Sequence, residues 1–228
     1  MESMLKTKKQ GLLIVLSGPS GCGKNTIINK VMENNKNIWL SISCTSRKPR
    51  GEEKNGVNYY FLSREEFEKE IENDEFLEYA EYSKNYYGTP KKYIKEHLDN
   101  GEDVILEIEI QGALKVKEKI KEALFIFILP PNMKELKRRL EARNTENQEK
   151  IDMRFKRAYE EINAVSKYNY VVVNDEVDIA ARKVQSILDA ERCRVDRIEE
   201  VYLNTEEEKI HETLFEGKKE FDNSEISL

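Results

Sequence analysis

Between Ser17 and Ile27 the chain reads SGPSGCGKNTI, with the G-x-x-x-x-G-K spacing of a loop that holds phosphate. Gly18, Pro19, Ser20, Gly21, Cys22 and Gly23 would present backbone N–H groups to phosphate oxygens, at the positive end of a following helix. Lys24 would add a point charge at the outer phosphates. A hydroxyl residue is expected after the lysine, where it ligates Mg²⁺ in phosphate-loop enzymes. Here that position is Asn25, and Thr26 comes one step late. An amide oxygen is also a hard ligand, and Mg²⁺ often reaches protein through water. Asn25, Thr26 or water alone therefore remains the route to a cation. A dinucleotide fingerprint fits less well, because the glycine order is G-x-x-G-x-G.

A second anion site is spelled by SISCTSRKPRGEEKNGVNYYF, residues 41–61. Arg47 and Arg50 offer planar forks suited to two-point phosphate contacts. Ser43, Tyr59 and Tyr87 could add hydroxyl donors. An exposed basic loop is the plainer alternative.

Three carboxylates lie on strand-like segments, Glu78 in FLEYAEY and Glu107 and Glu109 in VILEIEIQG. A carboxylate buried on a strand is costly unless paired. The N1–H and N2–H₂ edge of guanine is one possible pair, and neutralisation by Arg47 and Arg50 is another. Arg139, Arg143, Arg154 and Arg157 flank the polar stretch ARNTENQEK. Phosphoryl transfer is governed by positioning and charge stabilisation, which arginines on a closing segment can supply. His97 and His211 are far apart, and no serine elbow or Cys–His pattern competes.

The elements that must hold these groups alternate between strand and helix. LLIVLS, DVILEIEI, LFIFILP and YNYVVVN are short apolar runs typical of parallel strands covered on both faces. Helical periodicity follows them, in NTIINKVMEN, in NMKELKRRLEAR and in EVDIAARKVQSILDAER. The expected fold class is α/β, a phosphate-loop type of parallel sheet flanked by helices. Residues 41–90 interrupt the alternation with short strand-like pieces, as an inserted lobe with its own small mixed sheet would. Residues 138–164 read as a lid without an apolar anchor across ARNTENQEK.

Composition limits the functional classes. The 228 residues are 39% hydrophobic and 36% charged, with a net charge of −6. That balance suits a folded domain and not a bulk nucleic-acid binder. No apolar run approaches the roughly 20 residues of a membrane span, and MESMLKTKKQ lacks the core of a signal peptide. The three cysteines form neither a disulfide framework nor a metal pattern, which suits a reducing cytoplasm.

These residues resemble the guanylate kinases, the phosphate-loop kinases of GMP. The resemblance runs in order through GPSGCGK, TSRKPRGEEKNGVNYYF, EFLEYAEYSKNYYGTP, LEIEIQGALKVK, IFILPP, RRLEARNTE and YNYVVVND, about residues 12–192. It implies transfer of the ATP γ-phosphoryl to GMP or dGMP with Mg²⁺, by a monomer or homodimer that binds neither nucleic acid nor membrane. It implies a domain at 11–195 with a CORE (11–40, 91–137, 165–195), a GMP-binding lobe (41–90) and a LID (about 138–164). An N-terminal extension (1–10) and a charged C-terminal one (196–228) lie outside it, the latter with a helix near 206–215.

By motif match, Ser43, Arg47, Arg50, Tyr59 and Tyr87 resemble GMP-phosphate ligands, while Glu78 and Glu109, with Thr89 beside them, resemble guanine readers. Residues 18–26 with Arg139 and Arg143 resemble the ATP site. Lys24, Arg47, Arg143 and Arg154 resemble the catalytic set, with Asn174 near it. The family's frequent aspartate is Glu109 here, its Thr-Thr-Arg is Thr45-Ser46-Arg47, and Asn144 follows the lid arginine. Two rivals remain at this stage. One is a guanylate-kinase-like module that has lost catalysis and binds phosphopeptides, and the other is a kinase for a different small phosphate.

Overall fold

The computed structural model describes residues 5–7, 10–82, 84–142 and 148–201. In chain order the elements begin β1 (Leu5–Thr7), β2 (Leu13–Ser17), α1 (Lys24–Asn34), β3 (Ile38–Leu40), β4 (Cys44–Thr45) and β5 (Tyr60–Phe61). Next come α2 (Arg64–Glu72), β6 (Phe76–Tyr82), β7 (Asn85–Pro90), α3 (Lys91–Asp99), β8 (Asp103–Glu107) and α4 (Ile110–Lys119). The chain closes with β9 (Leu124–Leu129), α5 (Met133–Glu141), α6 (Gln148–Ile162), β10 (Tyr170–Val173), α7 (Val177–Arg192) and β11 (Ile198–Val201).

The main sheet has the order β10-β9-β2-β8-β3, with every neighbouring pair parallel. Its central strand β2 is buried at all five positions, as expected where helices cover both faces. Side chains alternate across it. Ile14 and Leu16 join Ile27, Ile28 and Val31 of α1 and Ala180, Ala181, Val184 and Leu188 of α7. Leu13 and Val15 face the other way, to Ile94 of α3 and Ala113 and Val116 of α4. Because all five strands run one way, their carboxyl ends share an edge, where ligands bind in open α/β sheets.

The inserted segment folds as expected into a second sheet, of order β5-β4-β7-β6, parallel between β4 and β5 and antiparallel elsewhere. Phe67 of α2 and Phe76 of β6 stack at 4.3 Å and fill its small core with Cys44. Serine 63 caps α2 through a reciprocal bond pattern with Glu66, which satisfies two helix-end donors.

Two expectations need correction. The apolar run 103–110 is not one strand, since β8 ends at Glu107 and Glu109 is already the N-cap of α4. The lid region is anchored, because Ile151, Phe155 and Ala158 of α6 pack on Leu136 and Leu140 of α5. Those residues fall at helical spacing beyond the polar stretch. The helix expected near 206–215 lies outside the described residues.

The chain divides into two units, residues 9–189 and a second formed by its two ends. In the second, β1 and β11 pair antiparallel, with Leu5 opposite Val201 and Lys6 opposite Glu200. The extensions that the sequence kept apart thus meet in one ribbon. Among the described residues, no helix is long and apolar enough to cross a membrane.

Candidate active site

The phosphate loop leaves β2 at Ser17 and enters α1 at Lys24. Gly23 caps that helix at φ 90°. A side chain there would be strained, and its Cβ would lie 2.4 Å from Asn174 Nδ2. Asn174 is 2% exposed and donates from that nitrogen to the Cys22 carbonyl at 2.7 Å. Arg139 reaches the same carbonyl at 3.4 Å and the Asn174 carbonyl at 3.1 Å, while Glu135 accepts from its Nε at 2.8 Å. The end of β10 therefore braces the loop from behind. Lys24 folds over its front and donates to the Gly18 carbonyl at 2.9 Å. Burial pushes the Cys22 thiol up, so this loop cysteine is not a nucleophile at neutral pH.

Across the edge from the loop stands Glu107, the last residue of β8. The Asn25 amide turns its nitrogen to this carboxylate, at 2.8 Å from Oε1 and 3.1 Å from Oε2. Asn25 and Thr26 are both exposed on the first turn of α1.

The inserted lobe encloses a cavity of 260 Å³ lined by Ser43, Tyr59, Glu78, Tyr87, Glu107 and Glu109, among others. Glu78 is only 8% exposed. Thr89, buried beside it, donates to Oε1 at 2.7 Å. Its other oxygen lies over Gly112, where a Cβ would come within 2.8 Å. Burial raises the Glu78 carboxyl above the usual range, against the lowering bond from Thr89. A donor edge entering the cavity would offset that cost.

Arg47 is 8% exposed. Its fork grips Glu53 at two points, 2.9 and 3.0 Å, and donates to the Lys48 carbonyl at 2.7 Å. The guanidinium lies 5.4 Å from the centre of the Tyr59 ring, at the cavity's rim. Glu53 also accepts from the Arg50 backbone N–H at 2.8 Å, so one carboxylate shapes the whole arginine loop. The Arg50 side chain is exposed.

The lid supplies the remaining wall. A cleft of 670 Å³ is lined by Gly18, Ser20, Lys24, Tyr59, Glu107 and Glu109, and on the α6 side by Met153, Arg154, Arg157 and Glu161. Arg154 hydrogen-bonds the Ser20 hydroxyl. Arg157 donates to Glu109 at 2.6 Å and to Glu161 at 2.8 Å. Tyr59, Glu107 and Glu109 line both cavities, so the two open on one another.

Most of the expected residues meet here. Lys24, Ser43, Tyr59, Glu78, Tyr87, Glu109 and Arg154 line the joined cavities. Arg47 stands at the rim, and Thr89 acts through Glu78. Arg139 supports the loop from its far side, and Arg143 lies outside the described residues. The alternative that Arg47 neutralises the strand glutamates gives way to its pairing with Glu53. That partner was missed, although it lies six residues downstream in the same loop. Glu107 and Arg157 were noted for their charge, but nothing local singled them out as site residues. A cluster of three or more His, Cys, Asp or Glu able to hold a metal is absent among the described residues.

A parallel α/β sheet with a phosphate loop at its carboxyl edge, facing a second pocket in an inserted lobe, defines a phosphate-loop nucleotide-binding protein. A family model described as guanylate kinase matches residues 10–191. A guanylate kinase of Caldanaerobacter subterraneus subsp. tengcongensis is 57% identical over 206 residues, covering 90% of this chain and 100% of that protein. One of Clostridium tetani is 58% identical over 208 residues, covering 91% and 100%. The crystal structure of a guanylate kinase from Anaplasma phagocytophilum matches with a TM-score of 0.70 at 36% identity, covering 93% of this chain and 98% of that one. The chain belongs to the guanylate kinase family.

Proposed function

We propose that this chain catalyses ATP + GMP ⇌ ADP + GDP, with dGMP as an alternative acceptor. The observation that carries the proposal is that Lys24 and the Glu78 pocket open on one cleft within a single unit. One phosphate site has a second substrate pocket beside it.

In this reading the loop backbone and Lys24 hold the ATP phosphates, and Arg139 keeps the loop in shape by gripping its carbonyl. Ser43, Tyr59 and Tyr87, with the Arg47 and Arg50 forks, hold the GMP phosphate. Glu78, steadied by Thr89, and Glu109 accept from the guanine N1–H and N2–H₂ donors. Adenine presents an acceptor at N1 and would leave a carboxylate unpaired, which is costly in a dry pocket. A GMP phosphate oxygen attacks the γ-phosphorus in line, and the bond to the β–γ bridging oxygen breaks. Arg154, brought in by α6, neutralises charge on the transferring group. Arg143 is assigned to the same task on the family motif alone. Closure of α6 over the cleft excludes water as a competing acceptor.

The donor set fits a magnesium ion that arrives with ATP. Glu107 gives one carboxylate on the cleft wall, and Mg²⁺ is commonly held by one or two carboxylates plus substrate phosphates. The ion would draw the β- and γ-phosphates together and offset their charge. A phosphopeptide-binding module is not favoured, because Lys24 and the lid arginine Arg154 both face the cleft.

A coupled assay with ATP and Mg²⁺ tests the proposal against GMP, dGMP, AMP and UMP. Turnover is expected with GMP and dGMP and is expected to vanish in Lys24→Met with GMP binding retained. A folded protein that leaves GMP unphosphorylated overturns it.

A further inference from the structure

Asn25 stands where the phosphate-loop motif calls for a hydroxyl, and its amide orientation is set by electrostatics. Both Glu107 oxygens are acceptors only, so the amide must present its NH₂ to them. The contacts run to both oxygens, at 2.8 and 3.1 Å. The amide oxygen is thereby turned to the opposite end of the group. A cation drawn to Glu107 meets the NH₂ of Asn25, and direct ligation by its oxygen would require the amide to flip and forfeit both hydrogen bonds. Thr26, the next residue, is displaced by about 100° around the helix axis.

We infer that Asn25 is a positioning residue for Glu107 and not a metal ligand. The amide ties the end of β8 to the first turn of α1, holding the carboxylate in one orientation beside Lys24 on the wall of the cleft. A carboxylate has about four lone-pair sites, so two bonds from Asn25 leave it able to accept from cation-bound water. This deepens the phosphotransfer reading for what Glu107 does, while the contact itself stands independently of it.

The test has two arms. In ligand-free, metal-free protein, the Asn25 side-chain amide is read by ¹⁵N–¹H NMR and identified by its loss in Asn25→Ser. Its signals are expected to shift, and its exchange with water to quicken severalfold, in Glu107→Ala and in the more conservative Glu107→Gln. An amide indifferent to both changes overturns the inference. In the second arm, kcat/KM for MgATP is followed through a double-mutant cycle. Partners that orient a ligating group typically cost 10- to 100-fold when removed, so Asn25→Ala is expected to fall about tenfold or more. Asn25→Ser, whose hydroxyl can still donate to the carboxylate, is expected to recover most of that loss. The double variant Asn25→Ala with Glu107→Gln should be no worse than the poorer single one. Losses that multiply would give Asn25 an action of its own and overturn the assignment. If the parent enzyme does not phosphorylate GMP, the kinase reading fails, and the amide arm still decides the contact.

Discussion

Arg157 of the lid helix donates to Glu109 at the N-cap of α4 at 2.6 Å, across 48 residues of sequence. The pair joins the segment that covers the phosphate loop to a carboxylate on the wall of the acceptor pocket. Both side chains are substantially exposed, at 44% and 71%. An ion pair of that kind contributes little to overall stability. Its consequence is local, because GMP seated against Glu109 and the lid closed over it then favour one another.

Removing the latch is expected to loosen that coupling. Arg157→Ala should raise KM for GMP about two- to fivefold, the range that an exposed pair spans. Binding of an ATP analogue without GMP should stay the same. The difference should shrink in 0.5 M salt, because screening acts strongly on exposed charges. Equal effects on both nucleotides would refute a latch between lid and acceptor pocket.

Glu53 aims Arg47. Both oxygens take the guanidinium, and one also takes the Arg50 backbone N–H. Glu53→Gln keeps the shape but replaces one acceptor with a donor that the fork cannot use. KM for GMP is expected to rise about tenfold, with KM for ATP unchanged, in steady-state assays. The pairing also carries a pH dependence. Arg47 holds the Glu53 carboxyl below its usual range, so its contribution is present above the unfolded-state value near 4.5. It is lost as pH falls through the lowered value. The gap in acid stability between parent and Glu53→Gln should therefore close on acidification.

Glu78 trades stability for recognition. Burial raises its carboxyl, so the folded form holds the proton more tightly than the unfolded chain does. The associated stability is present below the unfolded-state value and is lost as pH rises through the raised one. At pH 7.5 the ligand-free protein carries a buried charge, and Glu78→Gln removes it. Melting of the variant is expected at or above the parent temperature. GMP affinity should fall about tenfold or more, since hydrogen bonds to a charged group are being weakened. The preference for GMP over AMP should narrow. A variant that melts lower and keeps its preference would contradict the assignment.

Gly112 provides the space for Glu78 Oε2. A methyl group there would come within 2.8 Å of that oxygen and 3.1 Å of the carboxyl carbon. Inside a helix, alanine is favoured over glycine by about 1 kcal/mol, so Gly112→Ala need not harm folding. Circular dichroism melting should change by a few degrees at most, while KM for GMP rises severalfold as the carboxylate is displaced. A large loss of stability with unchanged KM would show that the glycine serves packing alone.

Local patterns carried much of this protein openly. The phosphate loop is contiguous, and each of its residues acts through backbone N–H groups or a helix end, so SGPSGCGK announces itself. The apolar runs of β2, β9 and β10 and the stripe of α7 are periodic, and periodicity survives any tertiary arrangement. FLEYAEY became β6 with the same limits. Less was visible where elements are brief or change type without punctuation. The edge strand β3 spans only Ile38–Leu40, and Glu109 turns the chain into α4 inside an unbroken apolar run. Ile151, Phe155 and Ala158 lay hidden behind a polar stretch.

The sequence by itself thus determined the fold class, the phosphate loop and the residue types of a second anion and base pocket. The tertiary structure decided which charge answers which. Arg47 could have met a strand glutamate, yet it is taken by Glu53 in its own loop. Glu109 was one of three strand carboxylates until Arg157 arrived from the lid. Asn25 was ambiguous because an amide can donate or accept, and only the approach of Glu107 from β8 fixes which end it shows. Periodicity and loop motifs are properties of neighbouring residues, whereas the pairing of charges depends on distances that exist only after the chain has closed on itself.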